Sequence, residues 1–152
     1  MPFISFIGAT FAIGIIATIA DGTGVPLLMT PLGASCVLLF AAPNSPYAHP
    51  RNLVFGHLIS CFVGLAVASL HVHGPWAMAI SVGAAIAAMQ LTKTLHPPAG
   101  ADPLVILMTE NASIHGFLVS VPLGVLLLLL VALVFNNVVR RQRWPASWLS
   151  GD

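Results

Sequence analysis

"LHPPAGADPLVI", residues 95–106, breaks a chain that is otherwise close to pure hydrocarbon. Only 6% of the residues are charged, against roughly 25% in an ordinary soluble domain. Pro97 and Pro98 have no N–H to donate and cannot prolong a helix, but proline suits a first helical turn. The spacing therefore predicts a crossing that ends near Leu95 and a new helix that starts at Pro98. Gly100 and Ala101 leave its first turn without bulk. Such an N-terminus offers free N–H groups and a partial positive charge, which suit an anion. Asp102 reads two ways, as a cap on that helix or as a proton or ion ligand.

The surroundings are those of an integral membrane protein: 152 residues, 58% hydrophobic, with mean hydropathy +0.99. One membrane domain over 1–152 is expected, with no room for a separate soluble module. Four stretches have the ~20 apolar residues a span needs, at about 3–20, 53–71, 75–92 and 116–135. The first carries no basic residue in "MPFIS" and reads as a retained helix, not a signal peptide. A net charge of +1 points to no nucleic-acid partner. Cys36 and Cys61 lack CxxC spacing and read as packing residues. No metal-ligand spacing, nucleotide-binding glycine motif or Ser/His/Asp arrangement can be recognised, so neither a metal nor a cofactor is expected, and no enzyme.

Two shorter apolar pieces resemble each other. "PLGASCVLL" begins at Pro31 and "PAGADPLVI" at Pro98, 67 residues later. Both read Pro-x-Gly-Ala, then Ser35 or Asp102, then an apolar run, a polar loop and a long helix. The expected fold is an all-α polytopic membrane helix bundle of two inverted three-segment halves (1–72 and 73–140) and a cytoplasmic tail (141–152). Its six crossings include two short or broken helices beginning at Pro31 and Pro98. The alternative is four full spans with two re-entrant half-helices. Because Lys and Arg favour cytoplasmic loops, the charges arbitrate: with "RRQR" at 140–143 inside, six crossings also put Arg51 and Lys93 inside, and Asp21 and Glu110 outside. Discontinuous helices in paired halves point to a transporter's substrate site, which makes Pro31, Gly33, Ala34 and Ser35 the counterpart of Pro98, Gly100, Ala101 and Asp102.

On the crossing at 53–71, Gly56, Ser60, Gly64 and Ala68 form a small-residue stripe that lets another backbone approach. His57 sits beside it inside an apolar span, where an ionisable residue is either a functional site or a hydrogen-bonded strut. His96 opens the proline motif and can titrate near neutral pH. His71 and His73 suit a helix end at the interface, and His49 and His115 suit loops. Arg51 with Asn52, and Lys93 with Thr94, are either anion-attracting cations and their polar neighbours or snorkelling anchors. Leucines 126–130 suit a lipid or subunit contact, and Trp144 and Trp148 suit an interfacial anchor.

These residues resemble the HPP family of small integral membrane proteins, named for the motif here at His96-Pro97-Pro98. "LGASCVLLFAAPNSP", "HPRNLVFGH", "TKTLHPPAGADPL" and "FNN" are similar to its successive signature blocks over residues 25–140. His49 stands where the family pattern has Gln. Some relatives carry CBS domains, which are not expected in a chain ending at Asp152. The resemblance implies nitrite transport, as associated with plastid and cyanobacterial members, and a fold often described as four transmembrane segments, which the charge argument disputes.

The sequence thus points to a transporter or channel for a small inorganic anion, nitrite first, in a bacterial inner membrane with its C-terminus cytoplasmic. It is expected to meet lipid and to form a homo-oligomer, most simply a dimer. The rivals are a proton or cation carrier using Asp102 and the histidines, and a membrane scaffold or sensor that transports nothing.

Overall fold

A computed structural model describes residues 2–109 and 114–146, all helix and connection among the described residues. Helix α1 spans Pro2–Thr23, α2 Thr30–Cys36, α3 Pro50–Ser69, α4 Pro75–Leu91, α5 Asp102–Met108 and α6 Ile114–Val134. Two of them change pitch at their ends. α2 runs on as a π-helical turn, Val37–Ala41, and α6 as another, Phe135–Val139. A 3-10 turn, Pro97–Ala101, leads into α5. Proline stands in the first two positions of α2, α3, α4 and α5, where its missing N–H costs nothing and its fixed φ is already helical. Gly24 closes α1 in the left-handed region, φ 69°, with its N–H on the Ala20 carbonyl, a termination glycine adopts without strain.

α1, α3 and the α6 helix are long and apolar enough to cross a membrane, and 30–41 and 75–91 are shorter apolar helices. The contacts fix their directions. Ser5 near the start of α1 donates to the Phe40 carbonyl at the far end of the second element, so α1 and α2 run in opposite senses. Arg51 at the start of α3 reaches the Thr92 carbonyl beyond the end of α4. Arg140 beyond α6 reaches Ser5. From Thr94 to Ile106 the chain climbs α3, passing Gly56, then Ser60, then Gly64. The chain therefore traverses the bundle six times, with both short helices entered from extended or turned segments. All five basic residues, Arg51, Lys93, Arg140, Arg141 and Arg143, belong to one end of the bundle. Asp21 lies at the other; Glu110 lies outside the described residues.

Two glycines allow the broken segments to sit inside. A Cβ at Gly56 would meet His96 Cβ at 2.7 Å and the Thr94 carbonyl at 3.0 Å. A Cβ at Gly124 would meet the Leu27 carbonyl at 2.9 Å. Thr94 and Leu27 lie 67 residues apart, the same offset that separates Pro31 from Pro98. Each long helix thus admits the backbone of one broken segment. Around them Ile16, Leu27, Leu32, Leu39, Phe40, Leu53 and Leu128 form the apolar core.

The far end of α2 is held by the C-terminal segment. Asn136 Nδ2 donates to the Leu39 carbonyl at 3.1 Å, the Arg140 guanidinium to Phe40, and Trp144 Nε1 to Pro43 at 3.0 Å. The cation completes carbonyls a helix end leaves open and complements the dipole there. Trp144 is consequently buried rather than the interfacial anchor its position beside the arginines suggested, because the indole N–H finds a partner inward. Trp148 lies outside the described residues. Of the leucine run, Leu126 and Leu130 face outward while Leu128 is core.

Gly56→Ala should lower stability by about 1–3 kcal/mol, the cost of overpacking a filled site. Gly14→Ala, with nothing within 4 Å of the added carbon, should not. Thermal unfolding of the two purified variants in detergent makes the comparison.

Candidate functional site

The polar residues that a hydrocarbon interior least tolerates have been drawn to one point, where α2, α3, the 92–101 segment and α5 meet. α4 stops at Leu91, four residues before the expected Leu95, because its last turn closes on itself. Lys93 N–H bonds the Gln90 carbonyl and Thr94 N–H the Met89 carbonyl, at 3.1 and 2.8 Å, the paired bonds of a Schellman end. Lys93 takes the left-handed position, φ 55°, where a non-glycine residue costs about 1–2 kcal/mol. That reversal aims Thr94, Leu95 and His96 back into the bundle, past the gap left by Gly56.

Four side chains then form one hydrogen-bonded chain. Asp102 Oδ2 lies 2.8 Å from His57 Nδ1. His57 Nε2 lies 3.0 Å from Ser35 Oγ, and Ser35 Oγ lies 2.8 Å from His96 Nε2. His96 Nδ1 reaches the Tyr47 carbonyl at 2.8 Å. Ser35 Oγ also sits 3.2 Å from its own helix's Pro31 carbonyl. Ser35, His57, His96 and Asp102 are each 0% exposed, and the second carboxylate oxygen of Asp102, Oδ1, has no protein partner. The two imidazoles lie 5.1 Å apart. Beside them Ser60 Oγ donates to the Ala99 carbonyl, taking up a backbone acceptor that the 3-10 turn leaves free.

The hydroxyl–imidazole–carboxylate order of Ser35, His57 and Asp102 is one that reading along the chain did not reveal, since the members stand 22 and 45 residues apart. Asp102 does not cap α5; no side-chain cap bond closes that helix, and its carboxylate is turned to His57. His57 is thus a hydrogen-bonded strut and a buried ionisable centre at once.

The remaining expected site residues divide by depth. Pro31 is buried beneath Ser35, while Gly33 and Ala34 face outward on α2. Gly100 and Ala101 are half-buried, Pro98 likewise, and Pro97 is exposed. A Cβ at Gly33 or Gly100 would meet nothing within 4 Å, so both motif glycines present an open side. Arg51 is half-buried at the basic end and Lys93 exposed there. Asn52 donates to the Pro46 carbonyl at 3.0 Å, and its Oδ1 is buried without a hydrogen-bond partner. Thr94 is buried, its hydroxyl 2.7 Å from that of Thr92. His49 caps α3, Nδ1 accepting from Arg51 N–H at 3.2 Å. Among the described residues no His, Cys, Asp and Glu gather as a metal site, and Cys36 and Cys61 are free and buried. The Tyr47 carbonyl was beyond sequence reasoning, since a backbone atom carries no composition signal.

The sequence matches the family model described as "HPP, transmembrane region" over residues 1–145. The chain belongs to the HPP family. Two curated relatives come from Dictyostelium discoideum, both transmembrane proteins. One is 41% identical over 128 residues, covering 80% of this chain and 41% of the relative. The other is 40% identical over 129 residues, covering 80% of this chain and 45% of its own length. The chain therefore spans less than half the length of these relatives. No solved structure matches it.

Removing one partner of a buried ion pair typically costs about 3–5 kcal/mol, because the other is left uncompensated. Asp102→Ala should lose that much stability, and Asp102→Asn, which keeps a donor and an acceptor beside His57 Nδ1, markedly less. Chemical unfolding of each variant in mild detergent against the parent checks both values; equal losses would mean that the negative charge, and not the hydrogen bond to His57, carries the interaction.

Proposed function

We propose that this HPP protein is a secondary transporter of a small inorganic anion, with nitrite the first candidate. The observation that carries the reading is the enclosed polar centre at the meeting of the two broken segments. A buried chain of two imidazoles, a hydroxyl and a carboxylate is costly in an apolar bundle, and ionisable groups within spans mark ion pathways and proton relays. The matched contacts at Gly56 and Gly124 support reading the two halves as an inverted pair about that centre, the architecture that places substrate sites between discontinuous helices.

The anion's path, in this reading, runs along the open sides of Gly33–Ala34 and Gly100–Ala101 and past His96, toward Arg51 and Lys93. A second copy of the chain covers those open sides, which makes the working unit a homodimer. The concentration of all five basic residues at one end supports a cytoplasmic position for that end, and hence for residues 140–146. Hydrolytic chemistry is not part of the proposal. Ser35 Oγ already faces three protein groups, His57, His96 and Pro31, which leaves no side for an acyl substrate to approach.

The test is nitrite uptake into proteoliposomes, with formate, nitrate and chloride as competitors and protein-free vesicles subtracted. Gly33→Leu and Gly100→Leu have room in a single chain, so both should fold as the parent does while abolishing most of the uptake. Uptake that survives both substitutions removes the motif glycines from the path, and absence of any anion flux in the parent sinks the transport reading. Cross-linking in lipid reports whether the same substitutions disturb a dimer.

A further inference from the structure

A count of hydrogens settles what the buried centre must contain. The Tyr47 carbonyl only accepts, so His96 Nδ1 carries a hydrogen toward it. If Asp102 is a carboxylate, His57 Nδ1 must likewise carry one toward Oδ2. With both rings neutral, both Nε2 atoms then present lone pairs to Ser35 Oγ, at 3.0 and 2.8 Å. The Pro31 carbonyl offers a third acceptor at 3.2 Å. Ser35 has a single hydrogen to give. Three acceptors would share one donor, and the group as a whole would hold an uncompensated negative charge at 0% exposure, an arrangement that an apolar interior strongly disfavours.

One additional proton removes both faults. With it, one imidazole donates from Nε2 to Ser35 Oγ, Ser35 donates to the other, and the net charge of the centre is zero. We infer that the Ser35–His57–His96–Asp102 centre is a proton-binding site, which holds one exchangeable proton and passes it along the chain toward the Tyr47 carbonyl at the basic end. The transfer balances without any outside partner. His57 Nε2 gives its proton to Ser35 Oγ as Ser35 gives its own to His96 Nε2. His57 is left neutral, with its Nδ1 hydrogen on Asp102, and His96 becomes the imidazolium, its Nδ1 hydrogen still on Tyr47. The charge has then moved one residue nearer the connection between α2 and α3.

Neighbouring elements bring few competitors. α4 contains no titratable residue, α2 contributes Cys36, α3 contributes Cys61 and, at its start, Arg51, and the adjoining connections carry Tyr47, His49 and Lys93. Asp102 Oδ1, buried and unpartnered, gives the proton a second place to rest on the same carboxyl. Resting on the transport reading, the consequence is that the anion crosses with a proton as an electroneutral pair, the His96 imidazolium serving as its counter-charge.

Two measurements test this on the full chain. Nitrogen-15 spectra of histidine-labelled protein in lipid nanodiscs read the ring hydrogens directly, with the buried pair identified by its loss in His57→Gln and His96→Gln and by its shift in Ser35→Ala. At neutral pH at least one ring of the pair should carry a hydrogen on Nε2; two buried rings protonated on Nδ1 alone overturn the inference. In proteoliposomes, an acid exterior should accelerate nitrite uptake over protein-free vesicles and acidify the lumen in step, and Asp102→Asn should lose both responses. A nitrite current indifferent to the pH gradient overturns the coupling and leaves the anion path standing. Absence of all flux beside a ring hydrogen on Nε2 overturns the transport reading and leaves the proton site.

Discussion

The bond between His57 and Asp102 is the constraint around which the bundle is organised. A carboxyl and an imidazole enclosed among leucines cannot be left unpaired, and at 2.8 Å they tie the middle of α3 to the first residue of α5. That position explains why α5 begins where it does, since the 3-10 turn of Pro97–Ala101 must deliver Asp102 to a fixed partner. It also explains the glycines at 56 and 64. Both lie on the face of α3 that the incoming segment covers, where an added Cβ would meet His96 and the Thr94 carbonyl at 56, and Pro103 and Ile106 at 64.

The proline-started elements are the visible sign of the same demand. A proline-free, unbroken helix over 92–108 would keep its backbone bonds regular, but it would carry residues 96 and 102 on faces set by a 100° step. Breaking it allows an extended approach, which brings His96 and Asp102 to opposite flanks of His57 and Ser35. The loss of regular backbone bonding is made good locally, by Ser60 on the Ala99 carbonyl and by the Thr94 N–H on Met89. Irregular backbone in an apolar interior is tolerated where protein partners of this kind enclose it.

Much of this architecture was legible along the chain, for identifiable reasons. Prolines announce where helical segments start, though the pair at 97–98 opens a 3-10 turn and the α-helix expected from Pro98 begins only at Asp102; Pro31 and Pro98 share a motif, and a histidine at 57 stands out among apolar neighbours. What could not be read was which faces meet. His57, Ser35 and Asp102 each looked ambiguous alone, and only the fold converts three uncertain residues into one connected group. Trp144 misled for the opposite reason. Two tryptophans beside arginines satisfy the composition of an interfacial belt, and the inward partner that reverses the reading is a backbone carbonyl. The outward turn of Gly33 and Ala34 was equally hidden, because a seven-residue helix has no periodicity long enough to declare its face.

The clasp of Arg140 on Phe40 and Ser5 bears on the order in which the protein can be completed. Its partners stand 100 and 135 residues away, so the carbonyl end of the first broken helix is completed only once residues 136–144 have been synthesised. Until then the Leu39 and Pro43 carbonyls lack the donors that Asn136 and Trp144 bring. The segment 136–144 is thus a keystone, joining the second half of the bundle to the carbonyl end of the first broken helix.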